Sequence, residues 1–471
     1  MVFNSFEFLL FFPIVLFAFY STKPQFRWIL LLAASYYFYM SWNPAYIILI
    51  IISTLIDYFL AIRIEGTDSK KKKKAFLITS MVLNLGMLFF FKYFDFFNDQ
   101  VAAVFGAFDL TYEAPVLNVL LPIGISFYTF QTMSYTIDVY RGYSKAERNL
   151  GFFALYVAYF PQLVAGPIER AKRLLPQLKR DNKVDITDIQ FGLNKIAYGF
   201  FKKVVVADNV SMYVNSVYAN LESHTGLTIF FANTLFFLVL YCDFSGYSDI
   251  AIGTARLMGV RLMENFNRPI LSSSVTEFWQ KWHISLSSWL RDYVYMEVKG
   301  DNKSEFQRAF ALLFTFALVG FWHGASWTFI LFGVAHGLFM VIENFGRALR
   351  LRNPLLDSLP VMKHWSNVAL TMLIIILISG PFFRAENLDD SWLMFGKIFT
   401  MAGGFNINDL LGGILVSDFL LCMFVIFLFF LSYLLPRNLN LKYNTLFLVL
   451  TTVIIILFGT NEALQFVYFQ F

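Results

Sequence analysis

Apolar stretches of bilayer-crossing length follow one another along almost the whole chain, separated by short charged loops. They fall near residues 6–20, 28–42, 44–62, 75–94, 115–139, 189–207, 226–243, 308–322, 326–345, 366–384, 409–435 and 444–459. A hydrocarbon core about 30 Å thick is crossed by roughly 20 apolar residues in a helix. No water is present there to satisfy backbone N–H and C=O groups, so each segment must bond internally, and these unbroken apolar runs do so as helices. In water, runs such as 45–60 and 410–435 would aggregate. The expected architecture is therefore an all-α polytopic membrane protein of eleven or twelve transmembrane helices. With 58% hydrophobic and only 15% charged residues and a mean hydropathy of +0.60, no part of the chain reads as a separate soluble domain. A single membrane-embedded domain over 1–471 is the expectation.

The charged residues read as topology rather than as a binding surface. The net charge of +5 is scattered between apolar runs, which excludes a nucleic-acid domain and fits cytoplasmic retention of basic loops. Lys70 to Lys74 fix one such loop. Alternation then places Asp95, Asp99, Asp109 and Glu113 outside, Arg141, Lys145 and Arg148 inside, Arg347, Arg350 and Arg352 inside, and Glu386, Asp389 and Asp390 outside. The N-terminus faces outward, on a first run (6–20) that lacks a basic leader and a small-residue cleavage site and reads as a retained span. Cys242 and Cys422 lie in apolar runs far apart and suggest neither a disulfide nor a metal site. One segment breaks the alternation: 151–168 has basic residues on both sides and contains Pro161, Gly166 and Pro167. It reads as a re-entrant hairpin or, alternatively, as a kinked span.

The chemistry concentrates after the seventh run. Ser274 and Glu277 have capping-box spacing, so a helix starts there, with the serine hydroxyl meeting one free N–H and the glutamate reaching back to another. Val275, Phe278, Trp279, Trp282, Leu286, Trp289, Leu290 and Tyr293 recur at three- and four-residue steps, opposite Lys281, Ser285, Ser288 and Asp292. The pattern predicts one amphipathic, non-spanning helix. His283 projects from its apolar side. By itself it can also be read as a buried structural histidine bonded to a carbonyl. His323, one of only five histidines in 471 residues, interrupts one of the most hydrophobic stretches of the chain beside Trp322 and Gly324. Ionisable groups at such depth are costly and count as functional-site candidates. A neutral imidazole suits acyl transfer to an alcohol, because it accepts the hydroxyl proton as the C–O bond forms. A second imidazole or amide can orient the substrate or stabilise the oxyanion. His336 reads as a packing residue between Ala335 and Gly337. His224 and His364 read as loop bystanders, and adjacent Arg291 and Asp292 should diverge rather than pair.

Six passages together carry a resemblance: Leu121 to Tyr128 with Tyr135 to Arg141, Pro161 to Ile168, Asp243 to Asp249, Asn265 to Pro269, Phe278 to Tyr295, and Phe321 to Gly324. The chain resembles the membrane-bound O-acyltransferase (MBOAT) superfamily, in its bacterial branch of alginate O-acetyltransferases and teichoic-acid D-alanyl transfer proteins. Met1 to Phe6 is also similar to the alginate-acetylase type. The resemblance implies a ring of tilted helices with re-entrant and interfacial helices around a central tunnel, a core motif region of about 115–345, His323 as the essential residue and His283 as its active-site partner. Trp279, Trp282, Trp322, Asp243, Asp249 and Arg291 are the candidates for lining the tunnel, although the two aspartates can equally cap nearby helix starts. The segment 169–180, with Arg170, Lys172 and Arg173, is either an interfacial helix that attracts the phosphates of coenzyme A or a plain topological anchor.

The resemblance further implies a cytoplasmic acyl donor, acetyl-CoA, with no permanently bound cofactor or metal. The acceptor would be a polysaccharide outside the bacterial cytoplasmic membrane, reached through a separate SGNH-hydrolase-like partner. This chain has no G-x-S-x-G elbow of its own. The alternatives are D-alanyl or other acyl transfer from a carrier protein and, in a different class, a polysaccharide or lipid transporter. No internal repeat supports the latter.

Overall fold

The computed structural model describes residues 1–112, 120–301, 304–352, 364–435, 441–460 and 465–467, with the side chains of 347–352 and 441–443 excepted. Its described residues are helices, turns and loops without strands. They gather into two compact units: Met1–Ile196 with Ser248–Met263, and Ala197–Tyr247 with Glu264–Phe471.

The first unit holds α1 (Phe6–Ser21), α2 (Arg27–Met40), α3 (Ile47–Glu65), α4 (Lys70–Leu88), α5 (Phe94–Ala107), α6 (Ile125–Tyr140), α7 (Leu150–Ala158), α8 (Ala171–Lys179) and most of α9 (Ile186–Phe200). Its core is polar where α3, α4 and α6 meet. Fully buried Asp57 accepts from Ser80, from Asn84 Nδ2 at 2.9 Å and from Thr136 Oγ1 at 3.0 Å, while Ser53 donates to Asn84 at 2.7 Å. A carboxyl at membrane depth is tolerated because each of its oxygens is bonded. The lysine run expected as a loop is the first turn of α4, capped by Ser69. The expected external loop at 95–114 is largely α5, while Glu113 and the first residues of the 115–139 run lie outside the described residues, as do the side chains of Arg347, Arg350 and Arg352. Residues 151–168 form the nine-residue α7, too short to cross, followed by buried non-helical backbone in which Gly166 sits against Gln162.

The second unit holds the end of α9 and a π-helical turn Phe201–Ala207, then α10 (Asp208–Tyr218), most of α11 (Gly226–Leu257), α12 (Val275–Lys281), α13 (Ile284–Leu290), α14 (Met296–Lys299), α15 (Glu305–His323), α16 (Trp327–Arg352), α17 (His364–Ser379), α18 (Leu388–Thr400), α19 (Ile407–Leu410), α20 (Val416–Leu434) and α21 (Leu441–Phe458). Two close crossings shape it. A Cβ on Gly320 would lie 2.1 Å from the Phe329 carbonyl oxygen and one on Gly333 2.1 Å from that of Phe316, so α15 and α16 pack backbone to backbone through glycine. A Cβ on Gly246 would lie 2.8 Å from the Gly199 oxygen, which brings α11 onto the turn that carries Lys202 and Lys203.

Seven described helices are long and apolar enough to cross a membrane, and Phe6–Ser21 and Asn444–Phe458 are shorter apolar helices. The difference from the expected eleven or twelve lies in length. α2 and α6 have 14 and 16 residues, and α6 is buried along nearly all of its faces, with Thr129, Gln131, Thr132 and Thr136 inward.

Candidate active site

The site is built on α11, α12, α13, α15, α16 and α17, all contributing from the second unit. The predicted single helix from Ser274 is two short helices with His283 at the joint. His283 adopts φ 43° and ψ 53°, left-handed geometry that costs a non-glycine residue on the order of 1–3 kcal/mol and persists only where its surroundings enforce it. The strap Asn265 to Asn267 enforces it: the Ile284 N–H donates to the Asn265 carbonyl at 2.9 Å, the Ser285 N–H to Asn265 Oδ1 at 3.3 Å, and the Asn267 N–H to the Lys281 carbonyl at 2.9 Å. Periodicity cannot register such a break, because the apolar stripe continues through it. Val275, Phe278, Trp279, Trp282, Leu286, Trp289 and Leu290 are all buried, and so is Ser285, which was expected on the polar side. At the N-terminus Ser274 Oγ accepts from the Glu277 N–H at 3.0 Å, and Glu277 reaches back to Ser273, taking its N–H and hydroxyl at 2.7 Å each, as the capping box predicts.

The joint turns His283 into aromatic surroundings. Its ring meets Phe244 edge-on at 4.6 Å and Trp322 at 5.7 Å. Full burial pushes its imidazole down to about 3, so it is neutral at physiological pH. Trp322 in turn lies 4.8 Å from the ring of His323 and so touches both histidines. The Gly320–Gly333 crossing sets His323, the last residue of α15, against Phe332 of α16 at 5.7 Å and Phe383 at 5.0 Å. His323, Trp279, Trp282, Phe332, His336 and Phe383 line a cavity of about 10 Å3, the room of one water. No carboxylate is among its described lining residues.

A second, larger cavity of about 470 Å3 shares Phe383 and is lined by Lys203, Asp208, Asp243, Thr328, Arg384 and Glu386 among others. Phe383 thus forms wall in both cavities. Lys203 Nζ is held by Asp243 at 2.7 Å and Asp208 at 2.9 Å, all three nearly fully buried, and the second oxygen of Asp243 accepts from the Val467 N–H at 2.8 Å. Lys202 Nζ donates to Ser245 at 2.9 Å. The two lysines were not singled out in the sequence, although adjacent cations in an apolar run carry the same signal as an intramembrane histidine.

The remaining candidates scatter. Asp243 and Asp249 lie inside α11, which continues well past residue 243, so neither caps a helix. Asp249 pairs with Lys195 at 2.7 Å in the first unit. Arg291, in a π-helical turn, is exposed and, against expectation, pairs with Asp292, Nε to Oδ1 at 2.8 Å. Arg170, Lys172 and Arg173 begin α8 in the first unit, whose Leu174, Leu175 and Leu178 are buried within the protein while Lys172 is exposed. Arg173 reaches Glu169 at 3.8 Å and the Arg261 carbonyl at 3.3 Å. His364 opens α17 instead of lying in a loop, and His224 is bonded to Asp409 at 2.8 Å. No group of three or more potential metal ligands occurs among the described residues.

The family model of membrane-bound O-acyltransferases matches residues 145–379, the part of the chain that holds both histidines. The probable alginate O-acetylase of Azotobacter vinelandii is 40% identical over 413 residues, 87% of this chain and 80% of the relative. The chain is a membrane-bound O-acyltransferase. This acyltransferase is also 32% identical to the peptidoglycan O-acetyltransferase of Helicobacter pylori over 79% of its own length and 73% of the relative's, and 31% identical to the teichoic acid D-alanyltransferase of Bacillus subtilis over 49% and 61%. Its multi-pass membrane architecture and its activity class, acyl transfer to a hydroxyl, follow from that membership.

Proposed function

We propose that the enzyme transfers an acetyl group from cytoplasmic acetyl-CoA toward a hydroxyl of an extracytoplasmic polysaccharide, with His323 as general base and His283 as its partner. The observation that carries this reading is the arrangement around Phe383. Its ring contacts His323 and also forms a wall of the 470 Å3 polar cavity beside Arg384 and Glu386. That cavity has the size and hydrogen-bonding capacity for a hydroxyl-rich acceptor, next to a base in an apolar setting. The acidic residues Glu386, Asp389 and Asp390 mark that side as external by charge alternation, with the N-terminus outside a bacterial cytoplasmic membrane. Arg170, Lys172 and Arg173 meet the donor's phosphates at the cytoplasmic face.

In the transfer, the acceptor hydroxyl oxygen attacks the thioester carbonyl carbon as His323 takes the hydroxyl proton. The C–S bond then breaks, and the same proton returns from the imidazolium to the departing thiolate, leaving an ester and a free thiol. Neutral His283 supplies hydrogen bonding and orientation without adding positive charge. The described lining of the cavity beside His323 is mainly aromatic and apolar and includes no carboxylate, which favours neutral acetyl over D-alanyl, whose ammonium would need a partner. The alginate and peptidoglycan acetylases also cover far more of the chain than the D-alanyltransferase does. This first transfer, to a saccharide hydroxyl in the cavity, needs only this chain; a separate SGNH-hydrolase-like protein carries the group onward to the polymer.

The test is release of free thiol from labelled acetyl-CoA by the full-length protein in lipid nanodiscs, with a de-acetylated alginate oligosaccharide as acceptor probe. His323→Ala is expected to lose about 100-fold or more in kcat at wild-type Tm. Equal turnover in the variant would remove His323 as the base.

A further inference from the structure

His336, thirteen residues beyond His323, lies in the middle of α16 and is fully buried. Its neighbours in sequence suggest a packing role, and Gly337 does sit near Phe316, but packing does not account for the imidazole. Trp279 Nε1 lies 3.4 Å from His336 Nδ1. An indole nitrogen only donates, so Nδ1 is the acceptor, and in the neutral ring the proton is on Nε2. That Nε2 is buried and has no hydrogen-bonding partner among the described residues. Leaving a buried donor unmet costs roughly 1–3 kcal/mol, and where such a group survives, a bound reactant is one way to satisfy it. The same ring lines the small cavity with His323, the two histidines flanking Phe332 at 4.6 and 5.7 Å.

We infer that His336 is a further catalytic residue: its Nε2–H, set by the Trp279 hydrogen bond, donates to the carbonyl oxygen of the acyl group while His323 handles the proton of the attacking hydroxyl. This rests on the acetyl-transfer reading and deepens it. As the hydroxyl oxygen bonds to the carbonyl carbon, the C=O electron pair moves onto oxygen, and the Nε2–H hydrogen bond to that oxygen strengthens. His336 shares its proton without transferring it. When the C=O bond re-forms and the C–S bond breaks, the hydrogen bond relaxes, and the only proton that has moved is the one carried by His323 from hydroxyl to thiolate. The two imidazoles divide the work: one accepts and the other donates. Trp279 becomes a positioning residue that fixes the tautomer.

The experiment uses the full chain in nanodiscs with acetyl-CoA and the same oligosaccharide probe. His336→Phe keeps the ring and removes the donor, and it is expected to lower kcat about 100-fold, with KM for acetyl-CoA within about threefold and Tm unchanged. His336→Gln restores an N–H and is expected to recover to within about tenfold of wild type. Wild-type kcat in the phenylalanine variant, or equal loss in both variants, overturns the assignment. A readout independent of variant folding comes from the 15N-histidine spectrum of the wild-type protein. The His336 Nε2–H resonance is expected to shift on addition of the non-cleavable thioether analogue of acetyl-CoA, and an unmoved resonance overturns the assignment. Absence of thiol release by the wild type defeats the acetyl-transfer reading and this inference together. Turnover that ignores His336 defeats this inference alone.

Discussion

Lys203 shows how a single side chain is tolerated at membrane depth. It is 1% exposed and lies between two carboxylates that are 3% and 2% exposed. Removing it leaves two buried acids facing each other, and breaking a buried ion pair costs about 3–5 kcal/mol. Lys203→Met is therefore expected to accumulate poorly and to melt well below wild type, and adding Asp208→Asn and Asp243→Asn is expected to restore much of the Tm. A variant Tm equal to wild type in the single mutant would contradict the ion cluster. His283 and Glu277 make stability depend on pH in the same direction. The His283 imidazole sits at about 3 against an ordinary 6.5. Between those values the unfolded chain binds a proton that the folded one refuses, so stability rises with pH across the window and is complete above 6.5. Burial raises the Glu277 carboxyl, but Lys281 and Ser273 outweigh it and hold it at about 2 against 4.5. Its contribution is complete above 4.5 and is lost as pH falls toward 2. Tm measured by intrinsic fluorescence is expected to fall on acidification from pH 7 to 4, and His283→Gln is expected to flatten the part between 6.5 and 4.5.

At the scale of elements, the α15–α16 pair decides whether His323 reaches its cavity. A methyl group on Gly320 would meet backbone at 2.1 Å, whereas Gly346, farther along α16, has nothing within 4 Å of the corresponding point. Gly320→Ala is expected to cost about 1–3 kcal/mol through overpacking and, by moving His323 on the order of 1 Å, roughly 100-fold in kcat. Gly346→Ala is expected to be neutral or to raise Tm slightly, since alanine is the better helix former. Similar effects at both positions would mean that the close crossing is not what positions the site. The sequence placed both helices at their apolar cores, 308–322 and 326–345 against the observed Glu305–His323 and Trp327–Arg352, because the apolar run ending near Gly324 and the charged 347–352 segment bound them. It did not show the crossing, since nothing in one helix says which glycine meets which carbonyl. The α12–α13 break was hidden for a related reason: it is imposed by Asn265 and Asn267, distant from the stripe that the periodicity reads.

For the whole molecule, the two cysteines provide a way to test orientation. Cys242 and Cys422 are both fully buried, so a single introduced thiol is the reactive one. Lys72→Cys, on the exposed first turn of α4, is expected to label with a membrane-impermeant maleimide only after the cytoplasmic face is opened, and Glu386→Cys in intact cells; the reverse pattern would invert the proposed topology. Legible in the sequence were the all-helical membrane class, the placement of nearly every apolar helix, the family and the two histidines that interrupt or border apolar runs. All of these follow from local composition, spacing and the absence of water in a bilayer, which penalises any polar group without a reason to be there. The tertiary structure decided which polar groups meet: Lys203 with Asp208 and Asp243, Trp322 between His283 and His323, and His336 in one cavity with His323. Those pairings depend on close approaches between helices distant in sequence. Hydrophobic burial is non-directional and specifies that such helices pack, while glycine contacts and hydrogen bonds specify where.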